Sequence, residues 1–385
     1  MRKICVVTGT RAEYGLLSRL MRLIASSGHT QLQTVVTNMH LSPLYGNTYQ
    51  EIEADGFTID WRIPILDDGT DNAVATLKSM SKALSGFADA YATLQPDLVL
   101  LLGDRYEILA AATAALIERI PIAHIHGGEV TEGAYDDAIR HSITKMSHLH
   151  FTSTEQYRQR VIQMGEQPET VFHVGALGVE NIRELPLMTK EEIEHEVQMP
   201  LDGHTLLITY HPVTLGNRTA EHEIGEFLAA LQERQDLRCL FTMPNSDTGS
   251  RVIAEAITTF VQQNSERART FTSLGIRRYL SAMKYAGAVV GNSSSGVLET
   301  PSFGIPTLNI GDRQKGRIMA DSIVCCDTDK DAILQGLDTV TSPAFRQAAA
   351  RVRNPYEKEG TAKAIFDVIS THELDTLIPK HFHDL

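Results

Sequence analysis

The chain has 385 residues, of which 42% are apolar and 22% are charged, and its formal net charge is -13. Such a chain can bury the cores of two ordinary globular domains. The acidic balance argues against a nucleic-acid partner, which would need a basic face, and the lack of about 20 consecutive apolar residues argues against a membrane span.

Strands and helices alternate along the first 175 residues. Short apolar or β-branched runs predict strands at 3–8, 31–37, 60–65, 97–102, 120–125, 148–152 and 171–174. Apolar residues at helical spacing predict helices at 11–26 and 71–93, one that ends at 117, and one that begins at about 136. This alternation is typical of a parallel, doubly wound sheet.

The segment 175–200 interrupts the alternation. It contains two glycines, two prolines and a charged stretch, so we predict a linker there. Beyond it, strands are predicted at 205–210, 238–243, 269–272, 288–290 and 307–310, and helices at 221–234, 250–263, 275–285, 295–302, 329–337 and 361–371. The chain is therefore predicted to be an α/β protein with two Rossmann-like, doubly wound domains, 1–175 and 176–360, that face each other across a cleft.

Two features predict a cytoplasmic protein. The apolar stretch at the N-terminus is too short for a signal peptide, and Arg11 and Glu13 follow it at once. The cysteines lie in apolar, strand-like runs without metal-ligand spacing, at Cys5, Cys239, Cys325 and Cys326. We expect them to be buried or inert thiols in a reducing compartment.

The predicted strand ends of the first domain carry acids and bases. Asp104 and Arg105 follow the strand at 97–102, and the strand at 120–125 leads into His126-Gly-Gly-Glu129 and a helix start at 136–141. Ligands of open α/β sheets bind at the carboxyl ends of strands, so these groups are candidates for catalysis. Charged pairs one helical turn apart are also common on solvated helix faces, and that alternative stays open for 136–141.

The strand ends of the second domain carry anion-binding chemistry. Three serines, 293–295, precede Gly296 at a helix start, where hydroxyls and free amides can hold a phosphate; a plain serine cap is the alternative. Residues 311–317 form a glycine-bounded loop with three cations, which suits a diphosphate or, alternatively, a solvated loop. His211 follows another strand, and Asn245 lies in a polar turn that could line a pocket or serve only as a turn.

Six motifs occur in a fixed order along the chain: Arg11-Ala-Glu-Tyr-Gly, Gly103-Asp-Arg, Gly127-Gly-Glu with Asp136-Asp-x-x-Arg-His, His211-Pro-Val-Thr, Gly291-Asn-Ser-Ser-x-Gly-Val-x-Glu and Gly311-Asp-Arg-Gln-x-Gly-Arg. Each motif is weak alone, but together they are highly specific. Over about residues 1–365 the chain resembles the hydrolysing UDP-N-acetylglucosamine 2-epimerases of sialic acid and related nonulosonate synthesis.

The resemblance implies a GT-B fold, a C-terminal helix (about 361–385) that joins the first domain, and a homodimer. It also implies contacts with the UDP-sugar from Arg11, Arg140, His211, Asn245, Ser293, Ser294, Gly296, Glu299 and Arg313. Catalytic roles are implied for Asp104 and Asp136, with Arg105 as a neighbouring cation and His211 as a further candidate. UDP-sugar and UDP are then the ligands, and neither a cofactor nor a metal is predicted.

One position departs from the family pattern. Many relatives carry a glutamate two residues after the histidine of the strand, in a His-x-Glu-Gly-Gly pattern, and here that place is His126. Either His126 or Glu129 is then the proton-transfer group, and position favours His126, because histidine side chains commonly act as general acids and bases. The departure is also compatible with a different sugar, such as a 6-deoxy diacetamido sugar used for legionaminic acid.

The implied reaction begins with loss of the C2 proton while UDP leaves C1 from the opposite face, which gives a 2-acetamidoglycal. Water then adds at C1 and a proton returns to C2 on the other face, so that the products are UDP and the free 2-epimer. The alternatives are a non-hydrolysing epimerase, which returns UDP to the intermediate, a glycosyltransferase of the same fold, and a nucleotide-sugar sensor without turnover.

Overall fold

The computed structural model of the chain describes residues 1–67, 71–215 and 218–385, which form two compact units. The N-terminal unit comprises 1–129, 136–181 and 358–385, and the C-terminal unit comprises 130–135 and 182–357. The sequence placed the domain boundaries after residues 175 and 360. In the structure the chain changes units after residues 181 and 357, and also on either side of the short segment 130–135.

The N-terminal unit is a parallel sheet covered by helices. Its strands are β1 (Arg2–Thr8), β2 (Thr30–Thr37), β3 (Trp61–Ile63), β4 (Leu98–Leu102), β5 (Ile122–Ile125), β6 (Leu149–Thr152) and β7 (Val171–His173). Its helices are α1 (Arg11–Ser26), α2 (Tyr49–Ala54), α3 (Ala73–Leu94), α4 (Tyr106–Ile117), α5 (Asp136–Met146), α6 (Glu155–Gln163), the start of α7 (Leu177–Glu184) and α15 (Thr361–Thr371). The strands pair in parallel in the order β3-β2-β1-β4-β5-β6-β7.

Both faces of this sheet are buried, as the apolar strand runs require. Along β1, Ile4 and Val6 pack with α1 and α15 on one face, whereas Cys5 and Val7 pack with α3 and α4 on the other. Successive strand residues point to opposite faces, so a run that is apolar at every position belongs between two layers of helices. The carboxyl ends of the strands stay uncovered by this packing and carry the polar residues.

The C-terminal unit repeats the architecture. Its strands are β8 (Thr205–Thr209), β9 (Arg238–Thr242), β10 (Ala268–Phe271), β11 (Ala288–Gly291), β12 (Thr307–Ile310) and β13 (Ile323–Cys326). Its helices are α8 (Lys190–Val197), α9 (Ala220–Glu233), α10 (Ser250–Gln263), α11 (Gly275–Tyr285), α12 (Ser294–Leu298), α13 (Lys330–Thr341) and α14 (Pro343–Ala349). The parallel order β10-β9-β8-β11-β12-β13 is the 3-2-1-4-5-6 order of dinucleotide-binding sheets.

The segment 130–135, here called the crossing segment, packs within the C-terminal unit. The amide of Glu132 donates to the carbonyl of Lys315 at 3.3 Å, and the carbonyl of Gly133 accepts from the amide of Leu215 at 3.1 Å. A Cβ atom on Gly133 would lie 2.8 Å from the carbonyl oxygen of Asp312, so only glycine allows this approach. The crossing segment therefore fits directly against the loop that carries Arg313.

The predicted fold class is confirmed, with a few elements that the sequence patterns did not reveal. The expected linker 175–200 contains α7 and α8 instead, and the Thr189–Glu192 capping box that starts α8 is visible in the sequence as Thr-x-x-Glu. We nevertheless predicted a linker, because the prolines and glycines around this capping box are typical of loops. The edge strand β13 was also missed, because its residues are mostly half-buried and Cys325 is exposed, contrary to the burial expected there.

No helix of the described ranges 1–67, 71–215 and 218–385 combines the length and the hydropathy that a membrane crossing needs.

Candidate active site

In both sheets the strand order reverses at one point, and the predicted site residues lie beside it. In the N-terminal unit the reversal falls between β1 and β4, which are followed by Arg11 and Asp104. In the C-terminal unit it falls between β8 and β11, which are followed by His211 and Ser293. Such switch points open a crevice at the carboxyl edge of the sheet and are the usual ligand sites of this architecture.

Asp104 and Arg140 form a close ion pair in the N-terminal unit. Arg140 projects from α5 with 2% of its side chain exposed, and it contacts the carboxylate of Asp104, which is 21% exposed. Arg140 also lies 4.0 Å from Asp137 on its own helix. Because a buried guanidinium needs its counter-charges, the pair fixes both the loop after β4 and the first turn of α5.

Asp136 is the first residue of α5, where the helix dipole stabilises a carboxylate, and it is half-buried. Of the helical pairs considered from the sequence, His141 lies 3.5 Å from Asp137, and Arg140 contacts Asp104, which lies outside this helix. The acids at this helix start are thus not simply a solvated face.

Arg105 lies in a buried carboxylate cluster. Its Nε donates to Oε1 of Glu107 at 2.8 Å and lies 4.0 Å from Oε1 of Glu13. Glu13 also accepts from the amide of Gly9 at 2.8 Å in the capping box of α1. Burial, reinforced by the charge of Glu107, raises the pKa of Glu13 well above its ordinary value. The sequence suggested Arg105 but did not reveal the two glutamates that hold it.

Arg11 begins α1 and pairs with Glu51 at 3.0 Å, with 14% of its side chain exposed. Beside it, the buried ring of His40 lies between the hydroxyls of Thr8 and Thr48, at 3.1 and 2.8 Å. Burial, and then the charge of Arg11, lowers the pKa of His40 to about 3, so this ring is neutral. His40 carries no sequence signal other than its place just after β2.

His126 and Glu129, the two alternatives of the sequence analysis, contact each other. Nδ1 of His126 lies 3.0 Å from Oε1 of Glu129, and the hydroxyl of Ser153 donates to the same oxygen at 2.7 Å. All three side chains are buried, with Glu129 1% exposed. Ser153 was not predicted, although it directly follows β6, the strand beside β5.

The Gly127-Gly128 turn between them is tightly packed. Gly128 has φ +77°, and a Cβ atom there would lie 2.6 Å from the carbonyl oxygen of Tyr157. Its own carbonyl accepts from Arg160 at 2.5 Å. The turn is therefore held from α6, which fixes the position of Glu129 relative to His126.

In the C-terminal unit, amide groups join four strand ends. The amide of His211 donates to Oδ1 of Asn292, and Nδ2 of Asn292 donates to the carbonyl of His211, both at 2.7 Å. Gln314 donates to the carbonyl of Asn292 at 2.8 Å, and the amide of Asn245 donates to Nδ1 of His211 at 3.4 Å. The ends of β8, β9, β11 and β12 are thus held to one another.

The serine segment after β11 is a short helix start. Ser293 caps α12, accepting from the amide of Ser295 at 3.4 Å, and Ser293 and Ser294 are half-buried. Gly296 allows close packing against β12, because a Cβ atom there would lie 3.0 Å from Cγ2 of Thr307. Glu299 ends this turn with 7% exposure.

The cationic loop 311–317 is not uniformly solvated. Arg313 has 14% of its side chain exposed and lies 3.9 Å from the buried carboxylate of Asp247, whereas Lys315 is exposed. Arg313 is therefore in a partly enclosed, polar setting. Within 1–67, 71–215 and 218–385, no group of three or more His, Cys, Asp or Glu side chains could hold a metal ion.

The chain is similar to proteins of known family along nearly its whole length. The family model for UDP-N-acetylglucosamine 2-epimerase matches residues 22–370. The chain is 43% identical to the "GDP/UDP-N,N'-diacetylbacillosamine 2-epimerase (hydrolyzing)" of Campylobacter jejuni over 385 residues, which cover 100% of this chain and 99% of the relative. It is 37% identical to the "UDP-N,N'-diacetylbacillosamine 2-epimerase (hydrolyzing)" of Legionella pneumophila over 383 residues, 98% of each chain.

Among solved structures, the UDP-GlcNAc 2-epimerase from Neisseria meningitidis bound to UDP-GlcNAc superposes with a TM-score of 0.78 at 17% identity. The superposition covers 95% of this chain and 99% of that one, and it shows that the fold is GT-B, as the sequence predicted.

Proposed function

Because this chain belongs to the UDP-N-acetylglucosamine 2-epimerase family and is an enzyme of that type, we propose that it hydrolyses UDP-N,N'-diacetylbacillosamine with inversion at C2. The products are UDP and the free 2-epimer. The observation that carries this proposal is the full-length similarity to two relatives whose names specify both the sugar and hydrolysis. UDP-N-acetylglucosamine is the second candidate substrate, since the family is named for it.

The N-terminal unit is assigned the sugar chemistry. A base removes the C2 proton, the C–H electron pair forms the C1–C2 double bond, and the C1–O bond breaks as UDP leaves. Water then adds at C1, and an acid returns a proton to C2 on the opposite face. The groups assigned to these proton transfers are Asp104, His126 with Glu129, and Asp136, while Arg140 holds Asp104 in place.

The C-terminal unit is assigned the nucleotide. Arg313 and the amides at Ser293 and Ser294 are placed on the diphosphate, where they stabilise charge that develops as UDP departs. The remaining assigned UDP contacts are His211 and Asn245, which the amide network described above holds, together with Glu299 and Arg11. The net reaction transfers no electrons to or from the substrate, so the route requires no redox cofactor.

The test is incubation of the purified enzyme with each UDP-sugar in deuterated water. We expect one equivalent of UDP per free sugar, deuterium at C2, and faster turnover of the diacetylbacillosamine substrate. A UDP-sugar product without free UDP would instead establish the non-hydrolysing reaction. A nucleotide sugar that stays intact would favour the glycosyltransferase or sensor function instead. Equal turnover of both sugars would overturn the assigned substrate preference.

The homodimer implied by the resemblance has a candidate surface in the N-terminal unit. On the outer face of α3, Val74, Leu77 and Leu84 are 59%, 65% and 42% exposed, and Leu116 and Ile117 are exposed at the end of α4. Exposed apolar side chains gathered on two adjoining helices favour association, and a second copy of the chain is the proposed occupant. The cytoplasmic location and a role in sialic or legionaminic acid synthesis remain parts of the same proposal.

A further inference from the structure

The backbone at His126 adopts a conformation that disfavours a side chain. His126 has φ +67°, in the left-handed region, immediately after β5. A non-glycine residue there costs of order 1 kcal/mol, and such residues persist where the surrounding structure holds them. Its amide donates to the carbonyl of Phe151 on β6 at 2.9 Å, and its side chain is 6% exposed. The fold thus holds an imidazole in an enclosed place at the strand end.

The contacts of the ring determine which nitrogen carries the proton. Nδ1 lies 3.0 Å from Oε1 of Glu129, and that oxygen also accepts from the hydroxyl of Ser153 at 2.7 Å. A carboxylate oxygen that already accepts one hydrogen bond is an acceptor towards the ring as well. Nδ1 is therefore protonated and donates to Glu129, which leaves the lone pair of a neutral ring on Nε2.

Nε2 of His126 is buried and has no hydrogen-bond partner among residues 1–67, 71–215 and 218–385. A buried acceptor without a partner costs free energy, so its presence beside candidate catalytic acids calls for a ligand or a reacting group. Another histidine of the same unit, His124, shows the contrast. Both nitrogens of His124 are engaged, by the carbonyl of Gly103 at 2.8 Å and the hydroxyl of Thr144 at 3.2 Å.

We propose that Glu129 and Ser153 are positioning residues that hold His126 with Nε2 bare, and that Nε2 removes the C2 proton of the sugar. This inference rests on the proposed function. It gives His126 and Glu129, which the sequence left as alternatives, two complementary roles. Nε2 takes the proton, the C–H electrons form the C1–C2 double bond, and UDP leaves with the C1–O electrons. The imidazolium is stabilised by Glu129 and then releases the proton to water.

The carboxylate acts on the ring as in other histidine-centred sites, where an acid fixes the tautomer and stabilises the charged ring without taking the proton itself. The hydroxyl of Ser153 contributes by holding the carboxylate oxygen in the plane where Nδ1 can reach it. Removal of the carboxylate charge should therefore slow the chemical step more than it weakens substrate binding.

The test compares Glu129→Gln and Ser153→Ala with the full-length wild-type enzyme on UDP-N,N'-diacetylbacillosamine. For Glu129→Gln we expect kcat to fall about 10²-fold or more, with KM changed by less than about threefold, and deuterium entry at C2 to slow in parallel. Ser153→Ala should lower kcat by about three- to tenfold, since one of the hydrogen bonds that hold the carboxylate is lost. Glu129→Asp should recover part of the rate.

A matched control is Glu166→Gln. Glu166 pairs with His150 at 3.0 Å in the same unit and is equally buried, but it contacts Lys145 and Lys380 rather than the candidate acids. We expect this variant to lower the melting temperature and leave kcat within about twofold of wild type. A similar loss of kcat in both Gln variants would show that disruption of any buried pair suffices, and would overturn the inference.

Nitrogen-15 NMR of histidine-labelled protein provides a readout that does not depend on turnover. With the His126 signal assigned through His126→Asn, we expect a protonated Nδ1 and a bare Nε2 in the wild type, and a loss of this tautomer preference in Glu129→Gln. A protonated Nε2 in the wild type overturns the inference. If neither UDP-sugar is turned over, the proposed function fails. The tautomer of His126 measured by NMR then still tests whether Glu129 positions the ring. If Glu129→Gln does not fold, Ser153→Ala decides by the same readouts.

Discussion

At the scale of single residues, α5 carries two of the assigned groups, and their environments differ. Arg140 is almost fully buried and must keep its carboxylate partner, whereas Asp136 on the same helix is half-buried and sits at the positive end of the helix dipole. Asp104 is thus held by a buried cation, and Asp136 lies at a helix start, where its charged form is stabilised. We assign Asp136 a direct part in proton transfer.

Asp136→Asn is expected to lower kcat by about 10²-fold or more, because the variant keeps the side-chain shape but loses the titratable proton. The affinity for UDP, measured by calorimetry, should change by less than about threefold, since UDP is assigned to the other unit. Asp137→Asn at the next position is the control and should leave kcat within a few-fold of wild type. Near-normal turnover by Asp136→Asn would remove this residue from the mechanism.

A second residue-scale prediction concerns His124. Burial lowers its pKa to about 3, while the unfolded chain titrates near 6.5, so the folded state excludes a proton that the unfolded state accepts. The stability it contributes is present above pH 6.5 and is lost as the pH falls towards 3. Between pH 7 and 5 the loss is about 2 kcal/mol.

We expect His124→Gln, whose amide can still donate to Gly103, to show a pH dependence that is smaller by about this amount. Urea unfolding at pH 7 and pH 5, followed by the fluorescence of the single tryptophan, Trp61 on β3, reports on the correct unit. An equal pH dependence in the two proteins would contradict the assignment of this effect to His124.

Part of the candidate site was predictable from single residues and part was not. Asp104, His126 and Arg313 follow predicted strands and have ionisable side chains, so a rule about strand ends finds them. Ser153 and Gln314 became visible only through the neighbours they touch, because their partners come from another strand end. A sequence indicates which residues end a strand, but not which strands lie side by side.

At the scale of elements, the long periodic segments were predicted well and the short ones were not. The bounds of α10 and α11 agree with those expected, because their apolar spacing is regular and their ends carry clear signals. The short α2 and α6 were missed, since six and nine residues offer too few turns for a period to emerge. The strand β13 was missed because an edge strand is only partly buried.

The crossing segment provides an element-scale prediction. Gly133→Ala introduces a Cβ atom 2.8 Å from the backbone of Asp312, so the loop that carries Arg313 must shift. Overpacking of this kind costs about 1–3 kcal/mol, and we expect UDP binding to weaken about tenfold. Gly225→Ala, in α9 with no atom within 4 Å of the new Cβ, is the matched control and should leave UDP binding unchanged. Unchanged affinity in Gly133→Ala would show that this packing does not bear on the nucleotide.

At the scale of the whole molecule, the two sheets share one topology but differ in chemistry. Acids and bases gather at the strand ends of the N-terminal unit, and amides, hydroxyls and an arginine gather at those of the C-terminal unit. Because a UDP-sugar has a reacting ring at one end and an anionic diphosphate beside it, this division agrees with the proposed substrate. The motifs predicted this division of chemistry. They did not predict that each unit is built from separate stretches of the chain.

The dimer is tested at this scale. Leu77→Glu places a charge on the exposed apolar face of α3, and we expect the mass in solution, measured by light scattering, to fall from that of a dimer to that of a monomer. Leu44→Glu, at a residue that is 69% exposed away from this helix, is the control and should leave the mass unchanged. A dimer that persists in Leu77→Glu, or a monomeric wild type, would contradict the proposed surface.

The chain passes from one unit to the other at four places, and this has a consequence for how such genes can be recombined. A chimera joined at a single midpoint would inherit the crossing segment from one parent and the 311–317 loop against which it packs from the other. Viable exchange between relatives should therefore favour joints that transfer 130–135 together with that loop. Enzymes that change their specificity for the sugar and for the nucleotide separately would therefore have to keep residues 130–135 complementary to the 311–317 loop.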